Sequence, residues 1–242
     1  MIRRFLALLL VLLLPVCALA DPLLLTEDLA GVVSESFYEY SYRYPRVDAS
    51  DTRAPIVNNC FDAEVNIALN EGIPSAADYW ESMGQNAYVT IDYEITFSDD
   101  EFFSVRVRRE EETEADGVFE TWKGYTFSLT RSFPGQTFTI SQILGLQKAG
   151  ETDEALEERY AKQILAAVSR LVWEQIEDNP DGIPYYEGLT KEMLDYALKP
   201  DEQFWLDETG NPVFYVQAGV LAEVDAGPLA FPVTFEEIDD ER

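Results

Sequence analysis

The chain has 242 residues, and 46 acidic side chains against 17 basic ones leave a net charge of −29. A surface of this sign repels nucleic acids and anionic membranes, so we expect neither as a partner. The chain contains no histidine, which excludes Ser-His-Asp and Cys-His catalysis and the common zinc sites. It also has no glycine-rich phosphate-binding loop, so no cofactor is predicted.

The first twenty residues, MIRRFLALLLVLLLPVCALA, have the pattern of an export signal. Arg3 and Arg4 precede an apolar run, and Ala18 and Ala20 frame a cleavage site after Ala20. A bilayer span takes about 20 apolar residues, so this shorter run does not favour a permanent transmembrane helix. No second apolar run approaches that length, so no stable membrane insertion is predicted after cleavage. A lipoprotein attached through Cys17 and an uncleaved signal are the two alternatives. The sequence therefore predicts a secreted or extracytoplasmic protein.

The first structural elements follow a leader at residues 21–35. The alternation of polar and aromatic residues in SFYEYSYRY predicts a strand over residues 36–44. Apolar residues at helical spacing then predict a helix that ends at Gly72 and buries the thiol of Cys60 on its apolar face. The next three strands are predicted over residues 87–97, 102–108 and 118–129.

The second half of the chain begins with its longest predicted helix, over residues 152–176, whose single apolar stripe should pack against a sheet. The remaining predicted elements are a helix at 190–198, strands at 203–206, 213–217 and 229–235, and an acidic tail at 239–242. This order is typical of the α+β class rather than of alternating βαβ units. We predict an antiparallel sheet of hairpins packed by one long helix and a shorter N-terminal helix.

Several segments, taken in order, resemble two known extracytoplasmic units. The segment YEYSYRYP and the helix containing Asn66 resemble the N-terminal unit of PdaC-like peptidoglycan deacetylases. Five later segments and the long helix resemble the RsiV-type domain; the segments are FFSVRVRREEE, TWKGYTFSL, TFTISQILG, FWLDETGNPVFYV and AGPLAFPVTFEEI. The resemblance implies one unit over residues 36–97 and a second over residues 98–238.

The resemblance implies a binding or sensing module rather than a catalyst. In the anti-sigma factor of this family the similar domain recognises lysozyme, and in the deacetylase it accompanies a separate catalytic domain. This chain departs from the family at two turns, where ADGVFETWKG replaces a Gly-Gly-Ala-His turn and GVLAEVDAG replaces the second. We expect an exported, non-catalytic module of the cell envelope that binds a cationic protein such as lysozyme, or a cell-wall component.

The candidate contact surface is the hairpin that turns at Asp116 and Gly117. Two residues of the second turn would join it if the two turns are neighbours. The predicted ligand-binding residues are Glu112, Glu114, Asp116, Phe119, Glu120, Trp122, Glu223 and Asp225. The alternative is that the acidic run only solvates the hairpin tip and prevents edge-to-edge pairing.

Two other functions compete with binding. A carboxylate-based cell-envelope hydrolase would use a pair of acids, and a structural accessory domain would dock on other envelope proteins through an exposed apolar patch. Calcium could bind the acidic clusters at residues 98–101 or 110–117, because hard cations take clustered oxygens. Neither cluster has the EF-hand spacing, so no metal site is predicted.

Overall fold

The computed structural model describes residues 23–35, 38–114, 117–131, 133–146, 155, 159 and 161–242, with only the backbone at 161 and 162. The predicted export signal with Cys17, the turn residue Asp116 and most of residues 147–160 lie outside these ranges. Within them, no helix is both long and apolar enough to cross a membrane.

The first sheet has five strands, whose order across the sheet is their order in the chain. They are β1 (Leu29–Glu35), β2 (Tyr38–Tyr44), β3 (Ala87–Ser98), β4 (Phe102–Thr113) and β5 (Gly117–Ser128). Neighbouring strands are antiparallel except β2 and β3, which run parallel. The predicted α+β class is confirmed, and the parallel pair is the feature that the sequence pattern did not indicate.

Two helices between β2 and β3 produce the parallel pair. They are α1 (Ala54–Ile67) and α2 (Ile73–Met83), joined by a π-helical turn at Ala68–Gly72. A parallel pair needs such a crossover, because the chain must return to the same end of the sheet. The predicted helix end at Gly72 is wrong, since Gly72 has helical backbone angles and the helical path ends at Gly84, with φ 65°.

Helix α1 covers one face of the first sheet. At its centre, the ring of Phe61 lies edge-on to Tyr125 at 5.2 Å and to Phe127 at 5.8 Å between ring centroids. Cys60, on the same apolar stripe, is buried as predicted, and burial raises the pKa of its thiol to about 11. Because the thiolate is the reactive species, we expect this thiol to be inert in the folded protein.

The second sheet has three antiparallel strands, β6 (Phe204–Leu206), β7 (Pro212–Val216) and β8 (Leu229–Pro232), in that order. The helices of this half are α3 (Ile140–Ile143), α4 (Ala166–Asp178), α5 (Lys191–Ala197) and α6 (Phe235–Glu241). A π-helical turn at Ala161–Leu165 leads into α4. Ile164, Val168 and Val172 from this helical segment share one buried core with Phe214 and Phe231 of the sheet. The predicted packing of the long helix on a sheet is confirmed.

The C-terminal end differs from the prediction. The last strand ends at Pro232, and the segment predicted as an acidic tail belongs mainly to helix α6. Thr234 and Glu237 form a capping box, in which each side chain accepts a hydrogen bond from the other residue's backbone N–H. Threonine followed three residues later by glutamate was a readable signal for this helix start.

The two sheets meet where β6 crosses β4 and β5, on the face opposite α1. The Leu206 N–H donates to Ser104 Oγ at 2.9 Å. At Gly124 a Cβ would lie 1.8 Å from the carbonyl oxygen of Phe204. Only glycine therefore permits the backbone of β6 to approach β5 this closely.

Candidate functional site

The long hairpin formed by β4 and β5 extends past the crossing with the second sheet. Its register with β3 places Tyr88, Glu112 and Val118 in one cross-strand row on the face opposite α1. The next row toward the crossing contains Thr90, Glu110 and Glu120, and the one after it contains Asp92, Arg108 and Trp122. We call the surface made by Tyr88, Glu110, Glu112, Val118 and Glu120 the acidic face.

Like charges lie directly opposite each other on the acidic face. Glu110 and Glu120 are cross-strand partners, which is unfavourable for two carboxylates. The guanidinium of Arg108 lies 3.5 Å from Glu110 and 3.9 Å from Glu120, and the Trp122 indole N–H donates to Glu120. The three carboxylates of the acidic face outnumber this one guanidinium, so the surface is negative and can attract a cationic partner.

The structure separates two of the predicted contact residues from the others. The side chain of Phe119 lies on the other face of β5 from the side chains of Glu120 and Trp122, because side chains alternate along a strand. On that opposite face it lies across from Glu111, whose carboxylate accepts from Arg109 at 2.6 Å. Glu114, just past the end of β4, accepts from Asn86 at 2.7 Å and is exposed.

The second predicted turn is a 3₁₀ turn, Val224–Ala226, between β7 and β8. Glu223 precedes it and Asp225 lies in it, both exposed. Within the described residues, neither carboxylate has a hydrogen bond or an ion pair to the hairpin. Asp116, the remaining predicted residue, lies outside the described ranges.

Trp122 packs between the two sheets. Its ring is edge-on to Trp205 at 5.5 Å, and Tyr215 lies beside both. The guanidinium of Arg106 stands 5.0 Å from the Trp122 ring and 5.2 Å from the Trp205 ring, and it also bonds Glu94 at 2.5 Å. The sequence pattern does not indicate this cluster, because its members come from four strands, β4 to β7, in two distant parts of the chain.

A cleft of about 590 Å³ opens beside the free edge of β5, where the two halves of the chain meet. Its charged lining residues are Glu64, Lys123, Asp201 and Glu202. Lys123 bonds Glu64 at 2.8 Å. Asp201 accepts from the backbone and the hydroxyl of Ser141 at 2.9 Å, while burial raises the pKa of its carboxyl above the usual value.

Neighbouring groups bond most of the acidic side chains of the cleft. A carboxylate hydrolase needs one acid that donates a proton and a second that attacks or activates water. Asp201 has the raised pKa of such an acid, but hydrogen bonds from Ser141 hold both of its oxygens, and Glu64 is paired with Lys123. In the part of the chain that is described, no group of three or more acidic or cysteine side chains could hold a metal ion.

Comparison with known proteins gives a similarity of structure only. No protein-family model matches the sequence, and no curated protein matches it. A member of the DUF3298 family from Bacteroides fragilis is 11% identical with a TM-score of 0.48, covering 91% of this chain and 92% of that one. A DUF3298 family protein from Pseudomonas aeruginosa is 10% identical with a TM-score of 0.48, covering 91% and 94%.

Proposed function

We propose that this protein is an exported, non-catalytic binding module of the cell envelope that recognises a cationic protein, such as a lysozyme, through the acidic face. The observation that carries the proposal is the composition of the two cross-strand rows nearest the hairpin tip, which contain Glu112 and Glu110. There, three carboxylates stand beside two exposed apolar side chains, Tyr88 at 52% and Val118 at 58% exposure. The RsiV-type and PdaC-like resemblance supports the same function.

Two effects favour such binding, namely long-range electrostatic steering and direct contact at the surface. A net charge of −29 speeds the encounter with a cationic protein, and this long-range attraction weakens as salt screens it. Charge alone gives little affinity at an exposed surface. Tyr88 and Val118 add apolar area that a partner can bury, and together with the carboxylates they define one patch rather than a diffuse field.

The test is calorimetric titration of residues 21–242 with a cationic lysozyme at low and at moderate salt. We expect saturable binding that survives moderate salt. The variant Glu110→Lys/Glu112→Lys should weaken binding about tenfold or more, because two attractive contacts become repulsive. Its matched control is Glu208→Lys/Glu236→Lys, which makes the same change in net charge at exposed positions away from the hairpin.

The same experiment distinguishes recognition through the acidic face from non-specific charge attraction and from hydrolase activity. Equal losses in the two variants would mean generic attraction between opposite charges, and would contradict recognition through the acidic face. Binding that vanishes at moderate salt would lead to the same conclusion. Turnover of peptidoglycan oligosaccharides by the wild-type protein, lost on neutralising a single carboxylate, would instead establish the hydrolase.

A further inference from the structure

The outer edge of β5 carries backbone groups that no sixth strand pairs, and groups from later parts of the chain bond several of them between Trp122 and Thr126. The side-chain amide of Gln217 accepts from the Trp122 N–H at 3.0 Å and donates to the Trp122 carbonyl at 2.6 Å. The Tyr215 hydroxyl accepts from the Gly124 N–H at 3.2 Å. The Phe138 N–H donates to the Thr126 carbonyl at 2.6 Å. Of the six backbone groups that residues 122, 124 and 126 present to this edge, the protein itself therefore bonds four and leaves one gap of two.

That gap consists of the Gly124 carbonyl and the Thr126 N–H. Both point to the same edge as the Trp122 groups, because the backbone of an antiparallel strand presents alternate residues to the same side. Neither group has a hydrogen-bond partner among the described residues. Gly124, Tyr125 and Thr126 line the cleft of about 590 Å³, so the two groups open onto it.

The spacing of these groups fits one residue of an extended peptide. When a strand adds in the parallel sense, a single incoming residue donates its N–H to one carbonyl and accepts from the N–H two residues further along. Here those groups are the Gly124 carbonyl and the Thr126 N–H. Adding an extended segment to an exposed sheet edge is a common mode of peptide recognition, and the cleft has the volume of a ligand site.

The charge of the cleft indicates the side chain that such a peptide carries. Of its four charged lining residues, Glu64, Asp201 and Glu202 are acidic and Lys123 is basic. Lys123 forms an ion pair with Glu64, and Asp201 accepts a hydrogen bond from Ser141. Glu202 is exposed, and it is the carboxylate best able to meet a basic group.

We propose that this cleft binds a short extended peptide segment with a basic side chain, of which one residue pairs in parallel with the edge of β5 between Gly124 and Thr126. The site is separate from the acidic face, so the proposal stands independently of lysozyme recognition. The basic side chain lies toward Glu202.

The probe is acetyl-alanyl-lysyl-alanine amide at millimolar concentration, followed by amide NMR of residues 21–242. We expect the Thr126 N–H to move downfield and its hydrogen exchange to slow, because it gains an acceptor. The same peptide methylated on its backbone nitrogens should not bind, since it cannot donate to the Gly124 carbonyl. An unmoved Thr126 signal, or equal binding of the methylated peptide, would overturn the proposal.

Two variants locate the site. Glu202→Gln should weaken binding about threefold, as for an exposed ion pair, while the control Glu208→Gln leaves it unchanged. Thr137→Trp fills the cleft from the facing loop and should abolish the Thr126 response, with unchanged amide signals of α4 and α5 showing that the fold is intact. Wild-type affinity in both Glu202→Gln and Thr137→Trp would place the peptide elsewhere.

Discussion

The base and the tip of the β4–β5 hairpin share the same strands and the same alternation of side chains, yet their surroundings are opposite. At the base, Phe103 and Phe127 are cross-strand partners and both are fully buried. At the tip, Glu111 and Phe119 occupy equivalent positions, and Phe119 is 38% exposed. Alternation thus decides which face a side chain takes, whereas the cover supplied by α1 or by the second sheet decides whether that face is core or exposed surface.

The largest expected effect compares the two phenylalanines on the same face of β5. Phe127→Ala should lower the free energy of unfolding by about 4 kcal/mol, because it leaves a cavity beneath α1. Phe119→Ala should cost less than about 0.5 kcal/mol, since its ring already contacts water. Urea unfolding of both variants measures the difference, and similar losses would contradict the contrast between base and tip.

The second prediction concerns the contact between the sheets. Gly124→Ala should lower the free energy of unfolding by about 3 kcal/mol, because its Cβ would collide with the Phe204 carbonyl. The control is Gly72→Ala, where the backbone is helical and the nearest atom is 4.0 Å away. That change should stabilise the protein by about 0.5 kcal/mol. Urea unfolding compares the two, and a neutral Gly124→Ala variant would show that β6 does not need this close approach.

A smaller effect is expected at the start of α1, the helix that covers the base of the hairpin. Hydrogen bonds from the Arg53 side chain at 2.9 and 2.7 Å hold the pKa of Asp51 well below its usual value, just before α1 begins. The stabilisation is therefore present above the unfolded-state pKa of about 3.9 and is lost as pH falls through the lower folded-state value.

Asp51→Asn should consequently cost about 1.5 kcal/mol near neutral pH. This difference from wild type should shrink as pH is lowered from about 5 toward 2. Chemical unfolding across that pH range measures it, with Asp78→Asn on the exposed side of α2 as the control. A cost that does not depend on pH would mean that the ionised carboxylate is not the source.

The smallest effect lies on the acidic face. Because Glu110 and Glu120 repel each other, the double variant Glu110→Gln/Glu120→Gln should be less stabilised than the sum of the two single changes predicts. We expect a coupling of about 0.3 kcal/mol that disappears at high salt. A double-mutant cycle measures it. A coupling of opposite sign would indicate that Arg108 binds the two carboxylates as one cluster.

The sequence by itself determined the local elements and the faces of the strands. Alternation predicted the strands around 36–44, 87–97 and 118–129, and helical spacing predicted that Cys60 is buried. It also identified the acidic hairpin as the candidate surface. These features depend on residues that are close in the chain, where side-chain periodicity alone carries the information.

Only the tertiary structure decided what covers each face. Phe119 and Trp122 lie three residues apart in the candidate site, yet in the fold Phe119 is exposed and Trp122 packs on Trp205. Gln217 closes part of the edge of β5 from 95 residues away, and the Phe204 carbonyl requires glycine at 124. Such contacts join segments that are distant in the chain, and no local periodicity encodes which segments meet, because that depends on the packing of the whole core.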